Sequence, residues 1–173
     1  MLAAAGVTIA ETDRGGDITY HGPGQLVAYL ILDLNYYRLG LHDYMRLLES
    51  AVIRTCAAFT VKADRDLSAT GVWVPQHEES GGGGAPSKIC AMGVRVRRWV
   101  SMHGLALNVT TNLEHFNLIV PCGLAGRSVT SLQRELAARC PSMTEVKREL
   151  ASTLTALLAE ARTRPAPAPT LAE

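Results

Sequence analysis

No uninterrupted apolar run in this sequence approaches the roughly 20 residues that a membrane-crossing helix needs, and the opening MLAAAGVTIAETD has no basic segment ahead of its apolar stretch. Neither a membrane partner nor a secretory leader is indicated, and the cytoplasm is the expected location. Aromatic residues make up 5% of the chain and the formal net charge is only +1, so base-stacking platforms and a global pull toward nucleic acid are both missing. The four cysteines, Cys56, Cys90, Cys122 and Cys140, stand far apart without Cys-x-x-Cys or Cys/His spacing. That excludes a disulfide framework and a zinc site and leaves free thiols. The common phosphate-binding loops are absent as well: there is no Gly-x-x-x-x-Gly-Lys-Ser/Thr and no Gly-x-Gly-x-x-Gly opening a helix. No cofactor and no metal is expected.

What the chain does have is a dense loop. Arg14 to Gln25, RGGDITYHGPGQ, holds four glycines, one proline, one arginine and one histidine in twelve positions. Glycine serves where backbone takes positive φ or approaches another group closely, and proline fixes a turn. Such a loop either cradles a ligand or makes a strand-turn-strand corner. It leads into LVAYLILDL, a continuous β-rich apolar run that reads as a core strand covered on both faces. From Leu41 to Phe59 apolar residues recur at helical spacing, and GVWV at Gly71 to Val74 reads as a strand. PQHEESGGGGAPS then has the composition of a flexible loop. KICAMGVRVRRWVSMHGLALNV, Lys88 to Val109, predicts two strands in a hairpin around a basic turn. A last helix is predicted to start at Ser142, with Glu145 closing a capping box, and to run to about Arg162. With 173 residues, 47% of them hydrophobic, the chain is expected to form one compact domain over residues 1–163, with residues 164–173 a disordered tail. The irregular order of strands and helices predicts an α+β arrangement rather than a doubly wound parallel sheet.

Cys122, between Pro121 and Gly123, has a nucleophile's setting, although a free cysteine is also commonly a small buried hydrophobe. A thiol with an ordinary pKa near 8.5 needs a cation or base nearby, and Lys88, His21 and His103 are the candidates. His21 and His103 each precede a glycine, which predicts two imidazoles on tight backbone beside open space; His42, His77 and His115 are assigned nothing. Arg95, Arg97 and Arg98 lack an acidic neighbour in sequence, and they face an acidic partner, a phosphate or plain solvent.

Taken in order, RGGDITYHGPGQ, GVWV, KICAMGVRVRRWVSMHGLALNV and VPCGLAG resemble the lipoyl(octanoyl) transferases, also called lipoate-protein ligase B, over most of the chain. The resemblance implies the biotin and lipoate protein ligase fold, with mixed sheets flanked by helices as in class II synthetases. It implies transfer of an octanoyl group from octanoyl-acyl carrier protein to a lysine of lipoyl domains, those of 2-oxoacid dehydrogenases and the glycine cleavage H protein among them. By the same resemblance Cys122 carries the acyl group as a thioester, and Lys88 lowers its pKa and accepts a proton. Arg14, Gly15, Gly16, Asp17, Ile18, Thr19, Tyr20 and His21, with Ala91, Met92, Gly93 and Gly104, Leu105, Ala106, would line the acyl chain, with His103 in support. Small residues suit such a channel, since burying the chain stabilises binding by about 0.8 kcal/mol per methylene. Three other readings stay open: an inactive relative that only binds carrier protein or lipoyl domains, an ATP-dependent lipoate or biotin ligase of the same fold, and a cysteine hydrolase using Cys122 and His103. Family members carry a further N-terminal region ahead of the RGG loop, so part of the sheet and one pocket wall are expected to be missing. The loop before Lys88 is longer than the family's usual link, which is expected to loosen that lysine.

Overall fold

The computed structural model describes residues 7–16, 18–76, 84–119 and 127–163. Five strands form one sheet: β1 (Gln25–Tyr29), β2 (Asp64–Arg65), β3 (Val72–Val74), β4 (Ser87–Arg97) and β5 (Val100–Asn108). Their order is β1-β5-β4-β3-β2 and every neighbouring pair is antiparallel. A single parallel bridge joins Lys88 to Val129. Helix α1 (Leu41–Ala58) packs on α3 (Met143–Thr163), and α1 also meets β3 and β5. The short α2 (Leu132–Leu136) and 3-10 turns at Leu113–Leu118 and Ala137–Arg139 complete the elements of the described residues. This is the α+β architecture that the element order predicts.

Each element follows from local chemistry. In α1 the buried residues Tyr44, Leu48, Val52 and Cys56 recur every four positions, which makes one apolar stripe against the sheet. α3 begins with a reciprocal box: the Ser142 N–H donates to Glu145 Oε2 at 2.8 Å, and the Glu145 N–H donates to Ser142 Oγ at 3.3 Å. β4 and β5 are joined by two residues, Arg98 and Trp99, with φ of 50° and 65°. Positive φ at both central positions matches the right-handed twist of the flanking strands, here without the usual asparagine and glycine. HGPGQ closes as a turn in which the Gln25 N–H reaches the Gly22 carbonyl at 3.2 Å. Pro23 fits its second position, and Gly24, with φ of 80°, supplies the third.

LVAYLILDL departs from expectation. It is an edge strand rather than one covered on both faces: Leu26 and Leu34 are buried and Ala28, Leu30 and Leu32 pack on the core, whereas Val27, Tyr29 and Ile31 are exposed. Its even-numbered residues point one way and its odd-numbered residues the other, and the helices cover only the even side. Past Tyr29 the backbone keeps bonding to β5, through the Leu30 N–H to the His103 carbonyl and the Ser101 N–H to the Leu32 carbonyl, and the Leu34 N–H reaches the Trp99 carbonyl in the hairpin turn. The Gly/Ser loop falls largely outside the described residues, as do the tail from 164 onward and residues 120–126 with Cys122.

Ser142→Ala removes one half of the α3 box and is expected to lower unfolding free energy by about 1 kcal/mol. Urea denaturation reads this directly; an unchanged midpoint would mean that the box adds nothing to packing.

Candidate active site

β4 and β5 place small residues opposite one another: Ala91 pairs with Ala106 and Gly93 with Gly104. Residues paired across an antiparallel ladder share a face, so these four make a low floor on the sheet. The Arg14–Gly16 segment lies directly upon it. The Gly15 N–H donates to the Val94 carbonyl at 3.1 Å, and a Cβ on Gly93 would stand 2.5 Å from the Gly15 carbonyl oxygen. Gly104 is equally constrained, since a Cβ there would meet the Ala28 carbonyl oxygen at 2.2 Å. Glycine is therefore required at both positions by contact.

The result is a small pocket, open to solvent, lined by Arg14, Thr19, His21, Tyr29, Ala91, Met92, Gly93, His103, Gly104, Leu105 and Ala106. Its lining is mostly apolar with a few polar groups, the usual character of a small-molecule site. A wider cleft adjoins it, sharing Arg14, Thr19, His21 and Tyr29 and adding Gly16, Ile18 and Tyr20. The sequence-predicted channel residues are thus brought together, Gly15 through its backbone. Asp17 lies outside the described residues.

The two histidines are both at the cavity, each held differently. His21 Nδ1 lies 2.7 Å from Gln25 Oε1, while Gln25 Nε2 donates to the Tyr20 carbonyl at 3.1 Å and to Asn108 Oδ1 at 2.9 Å. That amide orientation makes Oε1 the acceptor, so Nδ1 carries the proton and Nε2 is the basic nitrogen of the neutral ring. Asn108 Nδ2 passes the chain on to the Thr130 carbonyl at 3.0 Å. His103 has φ of 62°, an αL conformation that costs a β-strand residue roughly 1–2 kcal/mol. Its Nε2 lies 3.0 Å from Asp13 Oδ1, and the other oxygen of Asp13 binds Arg95. Arg95 thereby finds its acidic partner inside the chain, while Arg97 and Arg98 face solvent.

Lys88 sits apart from the cavity lining, at the start of β4. Its N–H donates to the Ser128 carbonyl and its carbonyl accepts from the Thr130 N–H, both at 2.9 Å. Nζ lies 4.6 Å from the centroid of the buried Trp73 ring. Burial is the main cause that draws the Lys88 pKa below the usual lysine value, and the nearby Arg127 cation adds to it. Among the other thiols, Cys56 is pushed up to about 12 by burial and Cys90 is raised further. Buried and protonated, they are inert at neutral pH. Cys122 cannot be placed against Lys88, because it lies outside the described residues; Ser128 and Thr130, six and eight positions later, bond Lys88 directly.

Several residues escaped the sequence reading. Asp13 bridges strands through Arg95 and His103. His115 Nδ1 lies 2.7 Å from the Tyr20 hydroxyl, and Phe116 packs edge-on to the same ring, so the 3-10 turn fixes the TYH segment. Trp73, Asp66 and Arg127 surround Lys88. No local pattern singles out His115, whose partner Tyr20 lies 95 positions away.

Residues 1–155 match the model of the lipoyl protein ligase A/B catalytic domain. The chain is 53% identical over 158 residues to an octanoyltransferase of Bacteroides fragilis, covering 91% of this chain and 69% of that protein. Among solved structures, a bipartite lipoate protein ligase of Thermoplasma acidophilum superposes with a TM-score of 0.69 at 18% identity, over 91% of this chain and 60% of that one. A biotin protein ligase of Aquifex aeolicus gives a TM-score of 0.58 at 14% identity, over 80% and 52%. These two likenesses establish the fold, and the chain spans about two thirds of the Bacteroides relative.

Gly93→Ala is expected to displace the Arg14–Gly16 segment from the cavity floor and to lower the unfolding free energy by about 1–3 kcal/mol. Urea denaturation measures it; an unchanged midpoint would show that this contact does not hold the segment.

Proposed function

The chain belongs to the lipoyl protein ligase A/B catalytic-domain family, and from that premise we propose that it is an octanoyltransferase of protein lipoylation, moving an octanoyl group from acyl carrier protein to a lipoyl-domain lysine. The observation that carries the proposal is a small-residue cavity on the β4–β5 hairpin, with a lysine of weakened proton affinity at the start of the same β4 strand. The high identity to a protein named octanoyltransferase supports the acyl group and the reaction class.

In this reading Cys122 is the nucleophile and Lys88 its proton partner. The Cys122 thiolate attacks the carrier thioester, a new C–S bond forms, and the bond to the carrier sulfur breaks. Lys88 gives its proton to the departing carrier thiolate and is left neutral. The lipoyl-domain amine then attacks the acyl-enzyme, a C–N bond forms, and the Cys122 thiolate leaves. Neutral Lys88 takes the proton that the amine loses, which restores the starting charges. A lysine held below its usual pKa suits both halves, because it gives up its proton more readily than a solvated lysine and can take one back from the attacking amine. Exchanging one thioester for another is close to isoenergetic, and amide formation then runs downhill without ATP.

The acyl chain would lie over Ala91, Gly93, Gly104 and Ala106 beneath the Arg14–Gly16 segment, where side chains leave it room. His21 and His103 stand at the same cavity. Their fixed hydrogen bonds to Gln25 and Asp13 suit them to holding the polar end of the acyl donor.

Transfer from octanoyl carrier protein to a lipoyl domain, assayed without ATP, tests the proposal. Wild type is expected to turn over. Lys88→Ala is expected to cut the rate at neutral pH by a factor on the order of 10² to 10⁴ and less at high pH, where free thiolate accumulates. A flat, unaffected profile removes Lys88 from the mechanism, and transfer that requires free octanoate with ATP would assign a ligase instead.

A further inference from the structure

The charges that surround Lys88 come from segments far apart in sequence. The guanidinium carbon of Arg127 lies 3.7 Å from the centroid of the Trp73 ring, the same ring that carries Lys88 Nζ. Arg127 Nη2 donates to Asp66 Oδ2 at 2.5 Å, and Nη1 donates to Ser68 Oγ at 3.4 Å. Its Nε is buried and has no hydrogen-bond partner among the described residues. A planar guanidinium lying over an indole, with one Nη on a carboxylate and the other on a hydroxyl, is a fixed cation, unlike a solvated surface arginine. Ser128 and Thr130, which follow it in the chain, grip the Lys88 backbone from both sides.

We infer that Arg127 is a positioning residue for Lys88: clamped between Asp66 and Trp73, it holds a fixed positive charge beside the lysine and anchors the segment that grips the lysine backbone. The inference rests on the acyl-transfer reading above.

Its electrostatic logic is a balance of two signs. Among the described residues four groups face Lys88: Cys90 on its own strand, Trp73 on β3, Asp66 from the β2–β3 loop and Arg127. Cys90 favours the ammonium only as a thiolate, and burial keeps its thiol protonated. Trp73 favours the ammonium through its ring face but carries no charge. Arg127 and Asp66 remain, the first opposing the Lys88 charge and the second favouring it. The Arg127 guanidinium in turn holds the Asp66 carboxyl well below the usual carboxylate range, so the aspartate stays ionised and matched to its partner.

Removing either partner therefore moves Lys88 in opposite directions. With Arg127→Gln, unmatched Asp66 faces the lysine and its proton is held more tightly. With Asp66→Asn, the Arg127 charge is unmatched and the proton is held less tightly. The measurement is octanoyl transfer from a preformed acyl-enzyme to a lipoyl domain between about pH 6 and 10, the step that needs neutral Lys88. Relative to wild type, Arg127→Gln is expected to move the acid limb about half a unit to one unit alkaline, and Asp66→Asn to move it acid. A purely structural role predicts a rate loss at every pH with no displacement, or the same displacement for both variants; either result overturns the inference. Should Arg127→Gln fail to fold, as thermal unfolding would reveal, Asp66→Asn decides alone, and an unmoved or alkaline limb overturns it. Lys88→Ala separates the two levels of the account. If that variant keeps the wild-type limb, the proton role that the acyl-transfer reading gives Lys88 fails; if it loses the limb while both other variants leave it in place, only the role of Arg127 fails.

Discussion

Gly93 and Gly104 face one another across the β4–β5 hairpin, and neither position has room for a Cβ. One close approach lets the RGG segment rest on the sheet, and the other seats the edge strand beside β5. Interiors are packed densely enough that a methyl group at either point would have to move backbone. The cavity, the seating of His21 and His103 and the position of Tyr29 all depend on these two contacts. Hydrogen bonds then lock the arrangement: Gln25 ties the glycine loop to Asn108, and Asn108 ties β5 to the segment that pairs with Lys88. The cavity wall and Lys88 are thus parts of one connected framework.

Around that framework two polar clusters serve different ends. Asp13 joins Arg95 of β4 to His103 of β5, at an exposed rim where such pairs contribute little stability. Its effect is orientation, since it fixes which nitrogen of His103 is engaged. The Lys88 cluster is the more enclosed, with two cations at the ring of a buried tryptophan and one carboxylate matching the second. Burial is costly for an ammonium, and this enclosure is the physical reason that a lysine here gives up its proton more readily than a solvated one.

Local signals carried most of the fold. The capping box at Ser142 and Glu145, the Pro23–Gly24 turn and the four-residue apolar rhythm of α1 involve residues within one or two turns of each other, and each was readable before any three-dimensional contact. The LVAYLILDL run misled because an unbroken apolar text looks the same whether one face or two are covered; only the placement of the helices tells Val27, Tyr29 and Ile31 from Leu26, Leu30 and Leu34. The RGG, AMG and GLA stretches, singled out through motif resemblance, meet around one cavity. Asp13, Trp73, Asp66 and Arg127 were not legible, because each acts through a partner that the chain reaches only after folding: Asp13 and His103 are 90 positions apart, Asp66 and Arg127 are 61.

The central claim is that acyl transfer passes through one particular sulfur. Intact-protein and peptide mass spectrometry after mixing the protein with octanoyl carrier protein, before any acceptor is added, tests it most directly. The account predicts a single octanoyl adduct that maps to Cys122, discharges on addition of a lipoyl domain and disappears in Cys122→Ser. An adduct on another residue, or one that persists unchanged in that variant, would contradict it.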